Sequence, residues 1–115
     1  MKNAFTLTTL FLVLSTLLVD QSHAITCGEV DSSLRPCLPY LMAGGAPTSK
    51  CCDGVRDLKM MTPTTADRQT ACRCMKDDAS RFREIKAEAA AQLPSKCSVE
   101  FGVPISREVD CDRIK

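Results

Sequence analysis

Eight cysteines are the densest chemistry in this chain. They stand at Cys27, Cys37, Cys51, Cys52, Cys72, Cys74, Cys97 and Cys111, which gives the spacing C-x9-C-x13-CC-x19-CxC-x22-C-x13-C. So many thiols in 115 residues point to an oxidising compartment and a disulfide framework. A bond between Cys51 and Cys52 would close a strained ring, so each is expected to reach a different partner. On a helix Cys72 and Cys74 point about 200° apart, so they too should have separate partners. The doublets then act as staples in the middle of the chain, and spacing alone does not choose among the pairings. An all-cysteine zinc site is disfavoured by the same oxidising setting, and no metal is expected.

The only histidine, His23, falls in a stretch that reads as a leader. Lys2 gives a short positive start, Leu7 to Val19 is an apolar run, and Ser22-His23-Ala24 offers small residues where a signal peptidase cuts. A membrane span needs roughly 20 apolar residues, and this run stops at Asp20. Residues 1–24 are therefore expected to be a signal peptide, and residues 25–115 one secreted domain. Without an imidazole, that domain cannot build a Ser/His/Asp triad, a Cys/His nucleophile pair or a histidine zinc site. No catalytic residue, cofactor or enzyme activity is expected. A net charge of +1 offers no field for a phosphate backbone, so nucleic acid is not an expected partner.

Large apolar residues are scarce after residue 24, and the aromatics there are Tyr40, Phe82 and Phe101. So few bulky side chains fill a solid core poorly, and much of the stability must come from cross-links. Either a compact four-disulfide domain or a cross-linked shell around an unfilled apolar space satisfies this composition.

The elements that must carry the cysteines read as all-helical, because apolar residues recur every three or four positions. A first helix holds Val30, Leu34, Leu38 and Leu41 on one stripe and ends at Gly44-Gly45, with a bend predicted by Pro36 and Pro39. A second opens after Pro47, capped by Thr48 or Ser49, with Cys51, Val55 and Leu58 on one face. Thr64 to Asp67 resembles a capping box for a third, which turns Ala71, Met75 and Ala79 inward. A fourth is expected from Ser80 to Leu93, carrying Phe82, Ile85 and Ala89 and stopped by Pro94. The remainder reads as an irregular tail laid across the helices.

The cysteine pattern, the run Cys37-Leu38-Pro39-Tyr40-Leu41, the Gly44-Gly45 turn, Thr64-Thr65-Ala66-Asp67-Arg68 and Ala71-Cys72-Arg73-Cys74 together resemble the plant type-1 nonspecific lipid-transfer proteins. A polar residue inside CxC, here Arg73, fits type 1 better than type 2. The resemblance implies a four-helix right-handed bundle with an irregular C-terminal tail around an internal apolar tunnel. It implies the bridges Cys27–Cys74, Cys37–Cys51, Cys52–Cys97 and Cys72–Cys111. It further implies a secreted monomer of the cell wall or apoplast that carries fatty acids, lysolipids and phospholipids through transient membrane contact. Wax or cutin deposition, plant defence and allergenicity are roles associated with such proteins.

The lipid-contacting residues expected on this basis are Val30, Leu34, Leu38, Val55, Leu58, Ala71, Met75, Ile85, Ala89, Leu93, Phe101, Val103, Ile105 and Ile114. Arg68, in the matching Thr-Thr-x-Asp-Arg motif, is expected near a tunnel mouth, where its fork of donors suits a carboxylate or phosphate. The tail departs from the family: Val103 stands where type-1 members usually carry a tyrosine, although Ile105 and Ser106 match. The near-neutral charge is a second departure and weakens a reading as a membrane-active defence peptide. A secreted amylase or trypsin inhibitor of the related cysteine-rich type is the other alternative, separable by titration with a fluorescent fatty acid.

Overall fold

The computed structural model describes residues 24–102 and 106–115, so the expected leader lies almost wholly outside the described residues, as do Val103 and Ile105. The chain enters its first helix, α1 (Cys27–Leu34), through Thr26, whose hydroxyl accepts a hydrogen bond from the Glu29 amide at 3.2 Å. A 3₁₀ turn, Arg35–Cys37, then leads into α2 (Leu38–Ala43). Pro36 and Pro39 sit in the first turns of these two pieces, where a missing N–H costs little. The expected bend is thus a 3₁₀ turn between two short helices. Gly44 and Gly45 close α2 at φ values of 82° and 89°, a region that favours glycine.

Helix α3 (Ser49–Met60) is capped by Thr48, which accepts from the Cys51 amide at 3.1 Å. Helix α4 (Thr65–Arg81) begins with a reciprocal capping box. The Asp67 amide donates to the Thr64 hydroxyl at 3.1 Å, and the Thr64 amide donates to the Asp67 carboxylate at 3.4 Å. Helix α5 (Ala87–Lys96) corrects the sequence reading at both ends. Ser80 and Arg81 complete α4, and Phe82 leaves the helical region at φ −104°, ψ 85°, so the last helix starts later than expected. Pro94 does not stop it. Pro94 lies so near the end that the next turn still closes, with the Cys97 amide donating to the Leu93 carbonyl at 3.1 Å.

Helix α1 packs on α3 and α4, while α2 packs on α5. Taken as one bent limb, α1 and α2 join the other three to make an all-α domain of four helical limbs, with no strand among the described residues. The contact between α1 and α3 is close because Gly54 has no side chain. A Cβ there would stand 1.8 Å from the Ser33 carbonyl oxygen. Disulfides join Cys27 to Cys74, Cys37 to Cys51, Cys52 to Cys97 and Cys72 to Cys111, and no described cysteine is free. Each bridge of this kind stabilises by about 2–4 kcal/mol. Around them lie Val30, Val55, Leu58, Ala71 and Leu93, each almost completely buried.

The tail crosses α4 and is held by side chains of that helix. Gln69 donates to the carbonyls of Asp112 and Ile114, Lys76 donates to the Val109 carbonyl, and Arg73 pairs with Asp112 at 2.9 Å.

Candidate lipid cavity

Helices α1 and α4, with α2 and α5, leave a space they do not fill. This cavity has a volume of about 220 Å³ and a wall built mainly from Leu34, Leu38, Leu41, Met75, Ile85 and Leu93. An apolar cavity of about 150 Å³ already accepts benzene, so this one has room for part of an acyl chain. A second space of about 30 Å³ lies behind it, under the tail residues Ser106, Arg107 and Val109. Met75, Ala79, Ile85 and Ala90 border both. Met75 and Ile85 therefore stand as a partition, and a flexible thioether is well suited to yield.

Five of the expected contact residues, Leu34, Leu38, Met75, Ile85 and Leu93, line the larger cavity. Val30, Val55, Leu58, Ala71, Ala89, Phe101 and Ile114 border neither space and instead pack against one another in the core. For Val30, Val55 and Leu58 the physical reason is that α3 approaches α1 too closely to leave room. Ala89 yields its expected place to Ala90, one position further round α5.

Arg68 also borders neither space. Its Nε donates to the Lys115 carbonyl at 2.9 Å, and its guanidinium donates to the carbonyls of Thr62 and Pro63 and to the Thr65 hydroxyl. It clamps the C-terminal residue to the α3–α4 connection. Tyr40 is likewise engaged: its buried hydroxyl donates to the Ala89 carbonyl at 2.7 Å and joins α2 to α5. Burial pushes its phenol above the ordinary tyrosine range, and Lys96 sits 5.3 Å from the ring centre.

The rim holds residues that an apolar stripe passes over. Arg35 and Phe82 are exposed there, and Asp31 and Asp78 are half-buried. Helical spacing carried the signal: Asp31 lies three residues before Leu34, and Asp78 three after Met75. Burial, helped by a hydrogen bond and like charge from Asp31 and by the charge of Asp77, pushes the Asp78 carboxyl up to about 7. Arg81 opposes this in part, but it is paired with Asp77 at 2.9 Å.

Among the described residues no group of three or more metal-ligating side chains comes together. The cavity lining and the disulfides offer an apolar space, a polar rim and a cross-linked frame, which are the parts needed to hold an amphiphile.

Comparison with known proteins agrees with this frame. Residues 27–111 match the model of the Protease inhibitor/seed storage/LTP family. Non-specific lipid-transfer protein 1 of Actinidia deliciosa is 54% identical over 92 residues, covering 79% of this chain and 99% of the relative. The barley non-specific lipid transfer protein 1 in complex with lysophosphatidylcholine is 43% identical and superposes with a TM-score of 0.75, over 79% of this chain and all of that one. A wheat non-specific transfer protein complexed with two molecules of phospholipid is 41% identical, with a TM-score of 0.73 over 78% of this chain and all of that one. By its cysteine framework, its fold and these identities, the chain belongs to the nonspecific lipid-transfer proteins.

Proposed function

We propose that this chain binds the acyl part of fatty acids, lysolipids and phospholipids in the cavity between α1, α2, α4 and α5, and transfers them between membranes. The observation that carries the reading is the apolar 220 Å³ space inside a helical frame tied by four disulfides. The lipids held by the barley and wheat relatives support it. Binding needs no reactive group, since an acyl chain gains about 0.8 kcal/mol for each methylene that leaves water, before ordering costs. Leu34, Leu38, Leu41, Met75, Ile85 and Leu93 would make the contacts. Met75 and Ile85 would shift so that a longer chain runs into the second space.

The finer parts of the reading rest on the leader-like start of the sequence and on the family resemblance. Cleavage after Ala24 would release the domain to the cell wall as a monomer, where it would meet membranes transiently and carry lipid without catalysis. Transfer of a fluorescent phospholipid between donor and acceptor vesicles tests the function, and displacement of the probe by fatty acid tests the site. Inhibition of an amylase or trypsin with no probe binding would favour the inhibitor reading.

A further inference from the structure

We propose that Asp31 and Asp78 make the rim of this cavity a proton-controlled filter on head-group charge, admitting anionic amphiphiles while Asp78 keeps its proton and disfavouring them once that proton is lost. The proposal rests on the lipid-binding reading and names a specificity determinant within that site.

The two carboxyls come from α1 and α4, separated by 47 positions in sequence, and border one cavity. Oδ1 of Asp31 is buried and meets no hydrogen-bond donor among the described residues. Two ionised carboxylates can only accept, so neither can satisfy the other. A proton on Asp78 supplies the missing donor and removes one of two adjoining negative charges. Burial beside a like charge holds that proton to about neutral pH.

The other charged groups at this place are few. Asp77 of α4 adds to the repulsion, Arg81 of α4 opposes it, Arg35 borders the cavity from the 3₁₀ turn, and Arg107 of the tail donates to the carbonyls of the lining residues Ala79 and Ile85 from outside the space. Helices α2 and α5 contribute only apolar lining, and no residue of α3 reaches the space. With the proton in place, the lining holds one carboxylate and one guanidinium, and its charges balance. Without it, the lining carries one excess negative charge, which repels a sulfonate, phosphate or carboxylate but not an uncharged head.

The test uses the secreted chain with its disulfides intact and two ligands of equal chain length whose own charges do not titrate, an alkyl sulfonate and an alkanol. Calorimetry from about pH 5.5 to about pH 8.5 brackets the Asp78 carboxyl. Sulfonate affinity is expected to fall roughly 3- to 10-fold across that range while alkanol affinity stays level. Asp78→Asn, which keeps a donor facing Asp31 but cannot ionise, should remove the fall. An equal fall in Asp78→Asn, or none in the wild type, would overturn the proposal. Carbon-13 titration of the Asp78 carboxyl in the wild-type protein is a check that needs no variant, and a midpoint in the ordinary aspartate range would also overturn it. Failure of the alkanol to bind at any pH would instead contradict the lipid reading itself.

Discussion

Gly54 on α3 faces the backbone of Ser33 on α1 so closely that a methyl group at Gly54 would sit 1.8 Å from the Ser33 carbonyl oxygen and 3.0 Å from its carbonyl carbon. Neither atom belongs to a flexible side chain, so the helices themselves would have to part. The Cys37–Cys51 bridge, which ties the 3₁₀ turn after α1 to α3, resists that movement. Gly54→Ala is therefore expected to destabilise by about 2 kcal/mol or more, although alanine is the better helix former. Urea unfolding of both proteins measures it, and an unchanged midpoint would show that the contact is looser than described.

Arg68 gives a second test, because its guanidinium is engaged by the tail and by the α3–α4 connection. Its hydrogen bonds join Thr62, Pro63 and Thr65 to the C-terminal Lys115. Arg68→Ala should cost about 1–2 kcal/mol of stability through the loss of these bonds. Acyl-chain affinity should change less than about threefold, since the side chain borders neither cavity. A tenfold or greater loss of affinity with stability intact would return Arg68 to the head-group role that the family resemblance implies.

Asp78 links stability to pH. Its carboxyl is raised from 3.8 to about 7 in the folded chain. Between those values the folded protein holds a proton that the unfolded chain gives up. Stability from this group is fully present below the unfolded value and is lost as pH rises through the folded one. Asp78→Asn should flatten this slope and leave the protein more stable at alkaline pH, by about 1 kcal/mol or less because solvent reaches the site. Urea midpoints across the pH range check it, and an identical slope in the variant would contradict it.

Much of the frame was legible because its signals are local. Thr48 as a cap and the Thr64 and Asp67 box need only a few residues each, and the separate partners of Cys51 and Cys52 follow from ring strain. The start of α5 was not legible, because Phe82, Ile85 and Ala89 keep a helical period through a connection that is not helical. Lys86, its N-cap residue, makes no side-chain capping bond, so no sequence mark stands at the boundary. In the cavity, periodicity found the inward faces but could not say which inward residues meet a neighbour and which meet space. Val55 and Leu58 meet neighbours because Gly54 brings α3 against α1. Asp31 and Asp78 were passed over because a stripe defined by apolar residues excludes the carboxylates at its edge.

The most direct measurement is calorimetric binding of saturated fatty acids of increasing length to the wild-type protein and to Met75→Trp. If an acyl chain occupies the space between α1, α2, α4 and α5, affinity should rise over roughly 10 to 18 carbons and then level, each buried methylene adding at most about 0.8 kcal/mol. Met75→Trp, which enlarges the partition between the two spaces, should weaken the long chains most, by about tenfold or more. Affinity independent of chain length, and unchanged in Met75→Trp, would contradict the account.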